Sequence, residues 1–164
     1  MENAVNSFTI WIDADSCPVQ VRDLTLRFAT RLQIPLHYVA NRIIPHPESP
    51  LISMTVCEAN PNAADDYIVE HILPNDLAIT RDIPLASRLV DKKICVLNDR
   101  GVVFTEKNIA EKLASRNLNY MLLENGLLPA EKKGNTYGKK EINAFANSLD
   151  RELQKKLRAL KSSN

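Results

Sequence analysis

The sequence predicts an α/β fold of three layers, in which helices cover both faces of a mainly parallel central sheet. Five short apolar segments alternate with segments of helical periodicity along the chain, and this alternation is typical of parallel sheets. A length of 164 residues fits a single domain. We therefore expect one domain over 1–164, with a core at about 8–125 and a basic C-terminal helix at about 139–160.

Each predicted strand is a run of apolar residues, rich in β-branched side chains, that ends at polar or turn-forming residues. Three prolines between 41 and 50 indicate an extended loop between the second and third strands. The predicted strands cover 8–12, 35–39, 51–57, 77–80 and 94–97.

Each predicted helix carries apolar residues three or four positions apart, which gives it one face to pack against the sheet. The first four begin at a proline or a capping residue: Pro18, Asn62, Pro84 and Thr105. The fifth helix covers 139–160. Its apolar seam consists of Ile142, Ala146, Leu149, Leu153 and Leu157.

Charge is distributed unevenly along the chain. Residues 1–131 carry 12 Lys and Arg against 17 Asp and Glu, whereas residues 132–164 carry 9 against 3. A basic segment suits a polyanionic partner such as RNA or DNA, although a solvated helix face explains it equally well. No apolar run approaches the roughly 20 residues of a membrane span, so we expect a cytoplasmic protein without a membrane partner.

Acidic residues gather where the predicted strands end. Asp13 and Asp15 follow the first strand, Asp82 follows the fourth, and Asp65 lies in the first turn of the second helix. Because ligands bind outside the carboxyl ends of parallel strands, we expect these carboxylates to share one site. Crowded carboxylates need a cation, and oxygen ligands favour Mg²⁺ or Mn²⁺. The sequence therefore predicts a divalent-metal site.

Helix capping is the alternative role for each of these acids, because Asp is a good N-cap and most of them lie near a predicted helix start. Capping explains Asp13 least well, since Asp13 ends an apolar strand before the helix begins. Asp66 is the substitute if Asp65 points away from the site.

Other reactive residue types lack the spacing of a known site. The three cysteines form no CxxC pair, so Cys17 is interpreted as a packed thiol. The three histidines lack ligand spacing. With four glycines and no glycine-rich phosphate loop, the common nucleotide-binding motifs are excluded.

Five motifs stand out along the chain: DADSCP at 13–18, AN at 40–41, AD at 64–65, TRDIPLA at 80–86 and RG at 100–101. With these motifs the chain resembles the YaiI/YqxD family of uncharacterised bacterial proteins over about residues 8–150. That family is similar in turn to PIN-like domains, which are metal-dependent nucleases with acids at the carboxyl edge of a parallel sheet. Asp99 occupies a position where related sequences commonly have proline, so it is left outside the cluster.

The resemblance implies catalytic and binding roles for matching positions. It implies Asp13, Asp15, Asp65 and Asp82 as the metal-binding acidic cluster, with Thr80 as a supporting hydroxyl. The substrate-binding candidates are Asn41, Arg81 and Arg100, which lie in the same motifs.

Three functions remain open. The first is a metal-dependent nuclease that hydrolyses the phosphodiester bonds of RNA or DNA. The second is a haloacid-dehalogenase-like phosphohydrolase, in which Asp13 is the nucleophile, Asp15 the acid-base, and Lys92 or Lys93 the lysine. The third is a catalytically silent module that binds RNA or another protein. Trapping Asp13 with a phosphate mimic separates the first two.

Overall fold

The computed structural model describes residues 8–127 and 136–162 and confirms the predicted α/β class. Its sheet has five parallel strands in the order β3-β2-β1-β4-β5. The strands are β1 Ile10–Asp13, β2 Leu36–Ala40, β3 Ile52–Val56, β4 Leu77–Ile79 and β5 Cys95–Leu97. The helices are α1 Val19–Leu32, α2 Ala63–His71, α3 Ile83–Asp91, α4 Glu106–Glu124 and α5 Lys139–Ser162.

Side chains alternate between the two faces of the sheet, so each face builds its own apolar core. On one face, Ile10 and Ile12 of β1 pack with α1 and α5. On the other face, Trp11 of β1 packs with residues of α2, α3 and α4. This arrangement is the predicted three-layer architecture. All four residues of β1 are buried, as expected of a central strand covered on both sides.

The helix starts follow from local capping chemistry. Asp82 caps α3, because its side chain accepts a hydrogen bond from the Leu85 amide. Thr105 and Asn108 form a reciprocal capping box at the start of α4. Asn62 occupies the capping position of α2 without a side-chain capping bond. The predicted cap at Asn62 is therefore wrong in its chemistry, although the helix begins where the sequence indicated.

Helix α5 is an integral part of one core layer. Phe145, Leu149 and Leu153 are fully buried, while Ala146 of the predicted seam is only half-buried. Ile142 and Leu157 also pack against this core as predicted, so the one correction to the seam is that Phe145 takes the place of Ala146. Gly101 lies against this helix with φ of +84°, and a Cβ built there would come within 2.5 Å of the Ala144 carbonyl oxygen.

Asp76 ties three chain segments together at the amino-terminal edge of the sheet. One carboxylate oxygen accepts a hydrogen bond from the Thr9 amide at 2.8 Å, and the other accepts from the Trp11 indole and the Leu73 amide at 2.9 Å each. The Asp76 side chain is therefore buried with partners on both oxygens.

No helix in the described ranges 8–127 and 136–162 is both long and apolar enough to cross a membrane.

Candidate functional site

A cavity of about 160 Å³ opens at the carboxyl ends of the strands. The structure brings all four predicted acids and Asn41 to this one cavity. The strand ends supply Asp13, Asp15 and Asp82, and the first turn of α2 supplies Asp65. The lining residues are Asp13, Asp15, Ser16, Asn41, Pro61, Ala64, Asp65 and Asp82.

Asp13 is the most enclosed of the acids, with 5% of its surface exposed. It is the last residue of β1, and the Thr80 hydroxyl donates to its Oδ2 at 2.7 Å. Burial raises the pKa of Asp13, and the nearby carboxylates of Asp82 and Asp15 raise it further. Hydrogen bonds from Thr80 and Ser16 act in the opposite direction without cancelling that effect.

Asp65 is also partly buried and lies near the other carboxylates of the cavity. Burial, followed by the charges of Asp82 and Asp13, raises its pKa to about 7. Its neighbour Asp66 is exposed and forms an ion pair with Arg88 at 2.9 Å. Asp65 is therefore the residue of this pair that enters the cavity, and Asp66 is not needed as its substitute.

Asp15 is held by the start of the loop that follows β2. Its Oδ2 accepts a hydrogen bond from the Asn41 amide at 2.6 Å, and its Oδ1 lies 3.4 Å from Nε of Arg42. Sequence reasoning selected Asn41 and missed Arg42. Only the adjacency of Arg42 to the AN motif could have pointed to it.

Thr80 connects the acids of the first and fourth strands. Its side chain is fully buried, its hydroxyl donates to Asp13, and the same oxygen accepts from the Asp82 amide at 3.0 Å. Asp82 in turn uses its carboxylate to cap α3. Asp82 therefore has both roles that the sequence suggested: it caps helix α3, and it lines the cavity.

Ser16 is a site residue that the sequence analysis did not single out. Its hydroxyl donates to the Asp13 carbonyl at 3.2 Å, accepts from the Arg81 amide at 3.2 Å, and lies 3.4 Å from the Thr80 hydroxyl. It therefore joins the turn after β1 to the turn after β4. The only sequence signal was its place inside the DADSCP motif.

The two arginines selected from the sequence lie outside the lining of the cavity. Arg81 pairs with the buried Asp99 at 3.3 Å, with its own side chain 53% exposed. Arg100 lies over the Tyr137 ring and 3.8 Å from Glu141. The structure thus brings Asn41 to the cavity and leaves Arg81 and Arg100 on the surrounding surface.

The donor chemistry of the cavity fits a hydrated hard cation. Its acids are all oxygen ligands, and burial together with neighbouring carboxylates raises the pKa values of Asp13 and Asp65. Within the described ranges, however, no three His, Cys, Asp or Glu side chains lie close enough together to hold a metal ion directly. The expected shell of four direct carboxylate ligands is therefore not formed. Mg²⁺ suits such a site because it retains several waters and uses one or two carboxylates.

The side chains of Cys17 and His37 are held in packed or hydrogen-bonded surroundings away from the lining of the cavity. Cys17 is buried, and burial raises its thiol pKa far above the ordinary range. His37 has a hydroxyl partner at each ring nitrogen, Ser53 at 2.6 Å and Thr55 at 2.8 Å. Burial lowers the pKa of His37. These surroundings match the interpretation of a packed thiol and an ordinary histidine.

Comparison with known proteins gives relatives over nearly the whole chain. A UPF0178 protein of Treponema denticola is 52% identical, covering 91% of this chain and 94% of the relative. A UPF0178 protein of Syntrophobacter fumaroxidans is 43% identical, covering 91% and 96%. No solved structure matches the chain. The model of the family described as "Uncharacterized BCR, YaiI/YqxD family" matches residues 11–155. Because this match covers most of the chain, the protein belongs to the YaiI/YqxD family.

Proposed function

We propose that this protein is a divalent-metal-dependent nuclease that hydrolyses phosphodiester bonds of RNA or DNA at the acidic cavity. One observation carries the proposal: four carboxylates line a single cavity at the carboxyl edge of a parallel sheet, with no Lys or Arg among the described lining residues. Such edges are where α/β sheets bind ligands.

Electrostatics favours a cation in this cavity over a purely structural role for the acids. Asp13 and Asp65 each have a pKa raised by burial and by neighbouring carboxylates. Carboxylates in this state destabilise the folded protein at neutral pH unless a positive charge joins them. Perturbed acids in a cleft are typical of functional sites.

The residues divide into those that would hold the ion and those that position them. Asp13, Asp65 and Asp82 would hold a hydrated Mg²⁺ or Mn²⁺ ion, with one or two carboxylates binding directly and the remainder through water. When bound, the ion would activate water and stabilise charge on the phosphate. Thr80 and Ser16 fix the orientation of Asp13. Asp15 is less free, since it already binds the Asn41 amide and Arg42.

Arginines around the cavity suit a phosphate backbone. Arg42 and Arg81 are 62% and 53% exposed, and each sits against an acid at a strand end. A nucleic-acid phosphate would exchange with that acid as the partner of the guanidinium. Arg100 contributes from farther out, beside Tyr137.

The activity test is cleavage of end-labelled single-stranded RNA and DNA with Mg²⁺ or Mn²⁺. Asp13→Asn and Asp65→Asn should each lower the rate by about a hundredfold or more, because each removes a charge that holds the ion. Asp66→Asn is the matched control, since Asp66 is adjacent to Asp65 but pairs with Arg88 at the surface. Equal cleavage rates for Asp65→Asn and Asp66→Asn would show that cleavage does not take place at the acidic cavity.

The metal test is independent of substrate. Thermal unfolding of the wild type across a Mn²⁺ titration should show stabilisation by mass action, about 2.7 kcal/mol at a hundredfold excess over Kd. Asp13→Asn and Asp65→Asn should lose that stabilisation. A melting temperature that ignores millimolar Mn²⁺, together with no cleavage, would contradict the proposal.

A catalytically silent binding module is the second candidate. It is favoured by the absence, among the described residues, of a three-ligand metal group. This candidate would be supported if the wild type bound RNA with the same affinity in the presence and absence of a chelator, and if the Asp13→Asn variant bound it equally well.

The phosphohydrolase is less consistent with the geometry. Lys92 donates to the Val69 carbonyl and Lys93 pairs with Glu106. Both lysines follow the C-terminal end of α3, whereas Asp82 caps its N-terminal end. Covalent trapping of Asp13 by a phosphate mimic would nevertheless select this reaction over the nuclease.

A further inference from the structure

The C-terminal half of α4 carries an apolar surface that the described residues leave uncovered. Ile109, near the start of the helix, is the one residue of α4 that is fully buried. Farther along, large apolar side chains are about half exposed or more. They are Leu118 at 50%, Tyr120 at 53%, Met121 at 52%, Leu123 at 45% and, just past the helix end, Leu127 at 69%.

This surface continues the stripe that packs α4 onto the body of the protein. Ile109 and Leu113 are followed at helical spacing by Tyr120 and Leu123. The first of these residues belongs to the core formed with α3. The stripe therefore begins as a core contact and runs on for about three more turns.

The exposed apolar side chains of this helix end are not confined to the stripe. Tyr120 and Leu123 belong to the stripe and are each about half exposed. Leu118 and Met121 lie on the side opposite Leu123, so the end of the helix is apolar around most of its circumference. A helix apolar on all sides is normally buried.

The charges on the stripe are complementary to those of a second copy. Arg116 lies four residues before Tyr120 and Glu124 lies four residues after it. In the described part of the chain neither enters a salt bridge; Arg116 instead stacks over the Tyr120 ring at 4.5 Å. An antiparallel pair of α4 helices with its two-fold axis near Tyr120 brings Arg116 of each copy to Glu124 of the other.

We propose that two copies of this chain form a symmetric dimer through the C-terminal halves of their α4 helices. A two-fold interface uses the same surface on both subunits, so a self-complementary stripe is what it requires. Tyr120 and Leu123 form its centre, and Arg116 and Glu124 form two equivalent ion pairs at its sides. This inference is independent of the chemistry of the acidic cavity.

Sedimentation velocity tests the proposal directly. The wild type should pass from monomer to dimer as concentration rises between about 1 µM and about 1 mM. Leu123→Asp should remain monomeric throughout, since a charge at the centre of the interface loses its hydration. A wild type that stays monomeric over the whole range overturns the proposal.

Exchanging the charges of Arg116 and Glu124 tests whether the two α4 helices pair in the antiparallel direction. Arg116→Glu and Glu124→Arg should each weaken dimerisation about tenfold or more, because two-fold symmetry creates each like-charge pair twice. The double variant should recover wild-type dimerisation. Glu111→Arg is the control, since Glu111 is an exposed residue of α4 on another side of the helix. A dimer that survives both single variants, or a double variant that does not recover, contradicts the antiparallel pairing.

Discussion

The Thr80 hydroxyl donates a 2.7 Å hydrogen bond to Oδ2 of Asp13, joining two residues that are 67 positions apart in the chain. The same oxygen accepts from the Asp82 amide, so one buried hydroxyl sets the relative positions of two acids. Buried bonds to a charged group are stronger than neutral ones. The geometry of the cavity therefore depends on a residue that does not itself carry charge.

Replacing Thr80 by Val should destabilise the protein by about 1–3 kcal/mol, because Asp13 and the Asp82 amide both lose a buried partner. Thr80→Ser keeps the hydroxyl and should retain most of the stability. Urea unfolding of the three proteins measures the difference. A Thr80→Val variant as stable as the wild type would show that the hydroxyl does not stabilise the fold, because valine keeps the methyl group and loses only the hydroxyl.

Replacing Asp82 by Ala should lower stability by about 1 kcal/mol in metal-free buffer, because α3 loses its N-cap. Asp82→Asn should be as stable as the wild type or more stable, since Asn also caps helices and the repulsion with Asp65 and Asp13 is removed. Thermal unfolding in chelator compares the variants. A loss of equal size in both would show that the cap requires a charge.

Stability should fall between about pH 4 and pH 7 in the metal-free protein because of Asp65. Its pKa in the folded protein is about 7, above the ordinary value of 3.8. In this interval the folded state keeps a proton that the unfolded state has released, so rising pH favours unfolding. Asp65→Asn should reduce this slope and gain about 1–2 kcal/mol at pH 8, a figure reduced for partial solvent screening, while Asp13, whose pKa is also raised, keeps part of the slope.

Urea unfolding of wild type and Asp65→Asn in chelator at several pH values checks this. Saturating Mn²⁺ should flatten the wild-type slope if the ion binds beside Asp65, because a cation lowers the pKa again. Parallel pH profiles for the wild type and the variant would show that Asp65 is not the titrating group.

Replacing Gly101 by Ala should destabilise the protein by about 2–4 kcal/mol, because the new Cβ meets the Ala144 carbonyl on α5 at a positive φ. Gly126→Ala is the matched control, since Gly126 also has a positive φ, +67°, but nothing lies within 4 Å of a Cβ there. It should lose only about 1 kcal/mol. Unfolding curves of both variants give the comparison, and equal losses would exclude the contact with α5 as the cause.

The sequence predicted the fold because its local signals agree with one another. Apolar runs, prolines and capping residues placed every strand and helix of the described region to within about two residues of the observed bounds. One residue of the predicted α5 seam was wrong: Phe145 and not Ala146 is buried, because the two are adjacent and periodicity alone does not choose between them.

The sequence predicted those features of the site that follow from sheet topology, but not those that depend on contacts between side chains. The carboxyl ends of parallel strands lie at one edge of the sheet, which predicted that Asp13, Asp15 and Asp82 lie close together. The roles of Ser16 and Arg42 depend on hydrogen bonds and ion pairs across loops, which have no periodic signal. The pairing of Arg81 with Asp99 likewise arises only when the ends of β4 and β5 come together.

The two edges of the sheet use buried acids in opposite ways. At the amino-terminal edge the Asp76 carboxylate links the chain before β1, the β1 indole and the turn before β4 through three neutral donors. At the carboxyl edge the hydrogen bonds of Thr80, Ser16 and the Asn41 amide instead hold the turns that carry Asp13 and Asp15 close together, although the carboxylates there repel one another. The same residue type therefore fastens the sheet at one end and maintains a region of unbalanced negative charge at the other.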